Sequence, residues 1–421
     1  MIRSIKGMRD ILPPSSAIWN QVEATARRIF SRFNYGEIRT PLLEETALFA
    51  RSVGEETDIV SKEMYTFEDR DGSSLTLRPE STASVLRAYI EHRLDQQPGL
   101  QKLFYVGPMF RRERPQKGRY RQFYQIGAEA IGSDSPAIDA EVIELVIEIL
   151  RALEINNFEL LINSVGTHES RARYNEALRA ELKDLAPRMC EDCRRCAVTN
   201  PLRVLDCKVP EDQPIINALP SILDYLDEAD REHFRRVREF LDDRHIAYTV
   251  SPRLVRGLDY YARTTFEITH GALGAQNAIL GGGRYDGLAE SLGSKVPAPG
   301  IGFSIGEDRL ILAVEEARTV QPQTLDLYIA PMGDAALRHC VLLAGDIRRL
   351  DVSVEVGTGG KLKRMLEIAN KLSARYTLIV GDNEIVSQSY ALKNMISGEQ
   401  ETLSLQGLME HFQKLRVVAH A

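Results

Sequence analysis

FRRERPQKGRYRQFYQIGAEAIG, the stretch from Phe110 to Gly132, sets six cations between two apolar runs: Arg111, Arg112, Arg114, Lys117, Arg119 and Arg121. Leu103-Phe104-Tyr105-Val106 leads into it, and a second strand-like run, Phe123 to Ile131, leads out. Side chains alternate along a strand, so Gln125, Gly127 and Glu129 share one face while Ile126, Ala128 and Ala130 share the other. The pattern predicts an antiparallel hairpin whose basic loop can meet phosphates and whose floor carries an amide and a carboxylate. A solvated cationic loop on an ordinary hairpin is the plainer alternative, and the polar residues on the strand face weigh against it. Phosphate grips and small-molecule recognition on one hairpin suit a site that joins a nucleotide to a second substrate.

The 421 residues suffice for two or three domains, and 43% hydrophobic with 27% charged residues is the composition of a soluble globular chain. No run approaches the roughly 18 apolar residues of a membrane span. The start, Met1-Ile-Arg-Ser-Ile-Lys-Gly, lacks the apolar core of a signal peptide, so a cytoplasmic location is expected. A net charge of −7 argues against wholesale nucleic-acid binding but leaves room for a local basic surface.

Cys190, Cys193, Cys196 and Cys207 form C-x2-C-x2-C-x10-C, which could supply four thiolates to zinc. Spacing of three also puts Cys190, Cys193 and Cys196 on one face of a helix, as small core residues often are, and a second C-x2-C knuckle is missing. The expectation is reduced thiols and no metal.

A helix is expected from Ser16 to Phe33, after Pro13-Pro14 and before Asn34-Tyr35-Gly36. Glu37 to Pro41 reads as a strand closed by proline. Met64 to Phe67 and Ser74 to Arg78 read as strands joined by the turn Asp69-Arg70-Asp71-Gly72. Asp139 to Leu153 has helical periodicity. Residues 167–244 are charged and helical in texture and read as an insertion; Leu254 to Gly306 returns to glycine-rich strands. A polar linker is expected from Arg318 to Thr324. Beyond it, β-rich runs at Leu325 to Ala330, Val352 to Val356 and Tyr376 to Val380 alternate with helical segments, predicting a small α/β domain with a largely parallel sheet.

Three further stretches carry chemistry. Arg78-Pro79-Glu80-Ser81-Thr82 puts a carboxylate and a hydroxyl at the start of a helix, where they can bind an α-amino group or simply cap the helix. Arg256-Gly257-Leu258-Asp259-Tyr260-Tyr261 combines a guanidinium with two phenols. Gly281-Gly282-Gly283-Arg284-Tyr285-Asp286-Gly287 lets backbone come close to a ligand or form a bulge.

The Phe110 to Gly132 stretch closely resembles motif 2 of the class II aminoacyl-tRNA synthetases, in the form carried by histidyl-tRNA synthetases. Arg256 to Tyr261 resembles a signature peptide of histidyl-tRNA synthetases that other class II enzymes lack. Gly300 to Leu310, which includes Asp308 and Arg309, resembles motif 3, with aspartate where the family usually has glutamate. The Arg78 to Thr82 element is similar to one in the family, which usually has glycine where Ser81 stands.

The resemblance implies an α+β catalytic domain with an antiparallel sheet, spanning residues 1–320 and interrupted by the helical insertion at 167–244. An α/β anticodon-binding domain would follow at 325–421. It implies ligation of histidine to tRNA(His) through a histidyl-adenylate, with ATP as co-substrate, magnesium on the triphosphate, and a homodimer. Arg111 and Arg256 would be catalytic at the α-phosphate. Glu113, Arg119 and Arg309 would join Arg111 in binding ATP. Glu80, Thr82 and Gln125 would take the ammonium end of histidine, Glu129 and Tyr261 its imidazole, with Tyr260, Gly281 and Gly283 lining the pocket. Gly357-Thr358-Gly359-Gly360-Lys361 can bind phosphate or simply make a tight strand-to-helix connection. The alternative is a related non-catalytic, histidine-sensing regulatory subunit of ATP phosphoribosyltransferase. That reading requires a degraded phosphate grip and typically no anticodon domain.

Overall fold

The computed structural model describes residues 2–54, 57–116, 118–271, 277–317 and 325–419, and the expected linker from Arg318 to Thr324 lies outside them, as does Lys117. The chain forms two compact units, Met1–Thr319 and Val320–Ala421.

The first unit is built on an eight-stranded sheet. Its order is Gly36–Glu37, Gln101–Phe110, Gln122–Ile131, Gly300–Gly306, Ala278–Arg284, Ala262–His270, Phe158–Ser164 and Thr249–Val250. The outermost strand at each edge pairs in parallel, and every pair between them is antiparallel. The expected strand from Glu37 to Pro41 is cut to Gly36–Glu37. The reason lies in Arg78, whose Nη1 donates to the carbonyl (3.0 Å) and hydroxyl (2.8 Å) of Thr40 and so binds that backbone outside the ladder. A helix at Ser15–Arg32 buries Ile18, Trp19, Val22, Ala26, Ile29 and Phe30, and Phe30 stacks on Phe104 of the sheet at 4.4 Å between ring centres. This is the apolar stripe at helical spacing that burial against a sheet requires. A second, buried helix covers Pro136–Ala152.

Leu43–Glu45, Ser74–Leu77 and Tyr65–Glu68 make a separate three-stranded sheet. The Asp69 to Gly72 turn closes its hairpin with Gly72 at φ +86°, a conformation glycine adopts freely.

The insertion holds helices His168–Leu185, Glu191–Thr199, Gln213–Ala218 and Glu228–Asp243, linked by 3₁₀ turns. Its apolar core, with Tyr174, Leu178, Leu182, Cys193 and Val204, continues into Val255 and Tyr261, which flank the Arg256 peptide.

The second unit contains a five-stranded sheet ordered Val354–Val356, Leu327–Pro331, Tyr376–Val380, Ser389–Asn394, Gln400–Ser404. The first two pairings are parallel and the last two antiparallel, so the sheet is mixed rather than largely parallel. The last hairpin escaped the sequence reading because Gln400–Ser404 is an exposed edge with no apolar alternation to betray it. At Gly357 a Cβ would lie 2.5 Å from the Tyr328 hydroxyl, so a close strand-to-helix connection accounts for that glycine.

Candidate active site

The hairpin register sets the floor of the site. Gln125 lies opposite Gly107 and Gly306, and Glu129 opposite Leu103 and Gly302. A Cβ on Gly302 would fall 1.7 Å from Glu129 Oε2, so the carboxylate occupies space that any other residue there would fill.

Around this floor is an inner cavity of about 130 Å3, lined among others by Glu80, Thr82, Gln125, Glu129, Tyr260, Tyr261, Gly281 and Tyr285. Glu129 Oε1 accepts from the Thr82 hydroxyl and Oε2 from the Tyr285 hydroxyl, each at 2.7 Å. Burial pushes the Glu129 carboxyl up to about 8, against the pull of those two hydroxyls. Glu80 accepts from the backbone N–H of Thr82 (2.8 Å) and Ala83 (3.0 Å) at the start of helix Thr82–Glu91. Glu80 therefore caps that helix while facing the cavity, and Thr82 spends its hydroxyl on Glu129. Oε1 of Gln125 is buried with no hydrogen-bond partner among the described residues. An unpaired acceptor of this kind suits a ligand donor. The Tyr260 and Tyr261 rings pack 4.7 Å apart, and Tyr285 meets Tyr260 edge-on at 6.1 Å.

The cavity opens into an outer cleft of about 410 Å3 lined by Arg111, Glu113, Arg119, Arg256 and Arg309. Arg111 donates from Nε to the Pro79 carbonyl at 2.9 Å and lies over the Phe123 ring at 5.3 Å. Glu113 sits between two guanidinium groups, 3.2 Å from Arg119 and 3.8 Å from Arg111. Arg309 donates to the Ala278 carbonyl at 2.6 Å. Arg256 is clamped by the carboxylate of Glu267. Its guanidinium covers Gly281, where a Cβ would be 2.0 Å from Nη2.

One reading changes in detail. Gly283 does not line the inner cavity; it lies behind Tyr261, whose Cδ1 would be 2.8 Å from a Cβ there. Asp308 is bound by Arg9 (2.7 Å) and accepts from the Tyr124 N–H (3.3 Å), although it also borders the cleft. Sequence reasoning missed the roles of Tyr285 and Glu267. The glycine-rich motif names Tyr285 but cannot say what its hydroxyl meets. Its neighbour Arg284 is wholly buried and ties Asp139 (2.7 Å) to Asp286 (2.7 Å), which fixes the turn that delivers Tyr285.

The cysteines do not share one helix face. Cys190 caps helix Glu191–Thr199, accepting at Sγ from the Cys193 N–H, while Cys193, Cys207 and Asp212 gather around it and Cys196 stands apart.

The site and both units have recognisable relatives. Residues 7–310 match the family model "Histidyl-tRNA synthetase", and residues 326–415 match "Anticodon binding domain". The chain belongs to the histidyl-tRNA synthetase family. It is 69% identical to the histidine–tRNA ligase of Solibacter usitatus over 96% of this chain and 97% of that protein. It is 55% identical to that of Koribacter versatilis, covering 96% and 94% respectively. The apo histidyl-tRNA synthetase structure from S. aureus superposes with a TM-score of 0.82 at 40% identity, covering 98% of this chain and all of that one. The fold is thus that of a class II synthetase of the histidyl type, with an antiparallel-rich catalytic sheet, a helical insertion and a C-terminal anticodon-binding domain.

Proposed function

We propose that this chain activates L-histidine with ATP and transfers it to tRNA(His). The observation that carries the reading is the meeting of a buried carboxylate pocket, Glu129 with Thr82 and Tyr285, and an arginine-lined cleft, with Arg111 and Arg256 bordering both cavities.

In the first step an oxygen of the histidine carboxylate attacks the α-phosphorus, the bond to the β-phosphate oxygen breaks, and pyrophosphate leaves. Arg111 and Arg256 meet the negative charge that grows on the α-phosphate, held in place by Pro79 and Glu267. Because Arg256 is fixed before substrate arrives, little reorganisation accompanies the step. Arg119 and Arg309 bind the rest of the nucleotide. The buried acceptor of Gln125 takes the ammonium group, with Glu80 supplying negative charge nearby. Glu129 accepts from one imidazole nitrogen and Tyr261 serves the other. In the second step a ribose hydroxyl of the tRNA end attacks the acyl carbon and AMP leaves.

Among the described residues the cleft has no preformed carboxylate cage, since each of its carboxylates is paired with a cation: Glu267 with Arg256, Asp308 with Arg9, Asp206 with Lys208, and Glu113 with the two arginines that would themselves bind ATP. Such a lining suits magnesium, which prefers to keep waters and phosphate oxygens and needs one or two protein carboxylates, Glu113 being the candidate. When bound it supplies charge neutralisation on the triphosphate.

The regulatory-subunit alternative is disfavoured. Arg111, Arg256 and Arg309 all line the cleft, the anticodon-binding match is present, and the 69% identical relative is a histidine–tRNA ligase. A homodimer in the cytoplasm belongs to the proposal; among the described residues no helix is long and apolar enough to cross a membrane. Charging of a tRNA(His) transcript with labelled histidine tests the complete reading: histidine esterified to its 3′ end supports it, and adenylate formed without any charging refutes the second step.

A further inference from the structure

Outside the active site, one cluster of ligating side chains has no part in the proposed reaction. Cys190, Cys193, Cys207 and Asp212 bring three thiols and a carboxylate together with all ligand atoms within 4.8 Å of one another. The spacing is C-x2-C-x13-C-x4-D, which differs from the four-thiolate pattern because Asp212 stands where Cys196 was the candidate.

The distances are those of a tetrahedral coordination shell. A zinc–sulfur bond of about 2.3 Å gives sulfur–sulfur edges of about 3.8 Å around the metal. Cys190 Sγ and Cys207 Sγ are 3.9 Å apart, and Cys207 Sγ is 3.4 Å from Asp212 Oδ2. Burial holds the Cys193 and Cys207 thiols above the ordinary thiol range while no ion is bound, but two backbone donors are already aimed at sulfur. The Cys193 N–H points at Cys190 Sγ and the Val209 N–H at Cys207 Sγ, both at 3.4 Å, and such bonds stabilise thiolates. Asp212 is itself aligned by the Cys190 N–H, 3.2 Å from each of its oxygens, the kind of outer bond that orients a metal ligand. Cys193 and Asp212 are each only 2% exposed. Three thiols and a carboxylate converge here, two of the four groups buried and two half-buried, with ligand atoms spaced as a single metal ion would hold them.

We propose that Cys190, Cys193, Cys207 and Asp212 bind one structural zinc ion in the helical insertion. This reverses the expectation of metal-free thiols drawn from spacing alone. Three thiolates with one carboxylate favour zinc over the hard cations, and the closed shell leaves no position for substrate. Binding releases the thiol protons to solvent as the sulfur–metal bonds form. The ion cross-links both ends of the segment from Glu191 to Asp206. Within that segment Asn200 donates to Asp259 (3.1 Å) and Arg203 pairs with Asp58 (3.1 Å), so the metal steadies a loop packed against the Arg256 peptide.

The test is metal content of the full-length protein produced with zinc available, joined to the absorption of its cobalt(II)-exchanged form. The proposal expects about one zinc per chain surviving dialysis, and thiolate-to-cobalt charge transfer with intense tetrahedral d–d bands. Cys196→Ser should keep the metal; Cys207→Ser and Asp212→Ala should lose it or hold it far more weakly. Substoichiometric zinc, absence of charge-transfer absorption, a Cys190–Cys207 disulfide in the purified chain, or metal that stays in Cys207→Ser but leaves Cys196→Ser would each overturn it. If Cys207→Ser fails to fold, the wild-type cobalt spectrum still decides, because it needs no variant.

Discussion

The Tyr285 hydroxyl donates to Oε2 of Glu129 at 2.7 Å, joining two residues 156 positions apart at the base of the inner cavity. Glu129 is nearly inaccessible and its other oxygen is taken by Thr82, so the carboxylate that is to read the imidazole is aimed by two protein hydroxyls. Tyr285→Phe keeps the ring and removes one donor. Removing a hydrogen bond to a buried charged group costs about 1–3 kcal/mol, so the histidine KM should rise roughly 5-fold to 150-fold with kcat little changed. Steady-state ATP–pyrophosphate exchange measures both, and an unchanged KM would separate Tyr285 from histidine recognition.

Arg256 and Gly281 should fail together. Arg256→Ala removes a donor fixed where transition-state charge develops, a loss that typically lowers kcat by about 100-fold to 1000-fold. Gly281→Ala places a methyl 2.0 Å from Arg256 Nη2 and must push the guanidinium aside, so it should reproduce most of that loss without touching the arginine. Rapid-quench measurement of adenylate formation tests the pair. A Gly281→Ala enzyme with normal kcat would show that the position of Arg256 is not critical.

Histidine binding should expel a proton from Glu129. Its carboxyl, raised to about 8 by burial, is mostly neutral at pH 7 in the free protein, and with both oxygens already taken by hydroxyls its ionised form is much the stronger acceptor for an imidazole N–H. Affinity should therefore strengthen by up to about tenfold per pH unit from pH 7 towards 8, then level off. Calorimetry in buffers of different ionisation enthalpy reads the released proton directly; a binding enthalpy independent of buffer at pH 7 would contradict this.

Glu307 offers a stability test away from the chemistry. It is fully buried, both oxygens lack hydrogen-bond partners among the described residues, and burial raises its carboxyl to about 9. The folded chain keeps this proton while the unfolded chain loses it above about 4.5. Its contribution is therefore fully present below about 4.5 and is lost as pH rises towards 9, at up to about 1.4 kcal/mol per unit. Glu307→Gln should flatten that slope, so the variant gains on the wild type at pH 8 relative to pH 5. Urea denaturation at the two pH values checks it, and parallel pH dependence in both proteins would refute it.

What was legible in the sequence follows the range of each signal. The motif 2 hairpin with Arg111 and Arg119, the Arg256 peptide and the Gly300 to Leu310 stretch with Arg309 were each readable because the alternation, charge or signature of each lies within a few residues. The pairs Tyr285–Glu129, Glu267–Arg256 and Asp212 with the cysteines were not, because only folding brings them together. Gly283 was misread because a glycine making room for a tyrosine ring looks, in sequence, like one making room for a ligand. The Cys190 spacing suggested a helical face, but Cys190 is the cap of the helix rather than part of its side.

The central claim is that this pocket selects histidine for adenylation, and amino-acid-dependent ATP–pyrophosphate exchange with each of the twenty amino acids tests it most directly. A pocket that hydrogen-bonds a side chain rejects analogues lacking it by about 10⁴ or more. Histidine alone should support exchange; equal exchange with glutamine or asparagine, or none with any amino acid, would contradict the account.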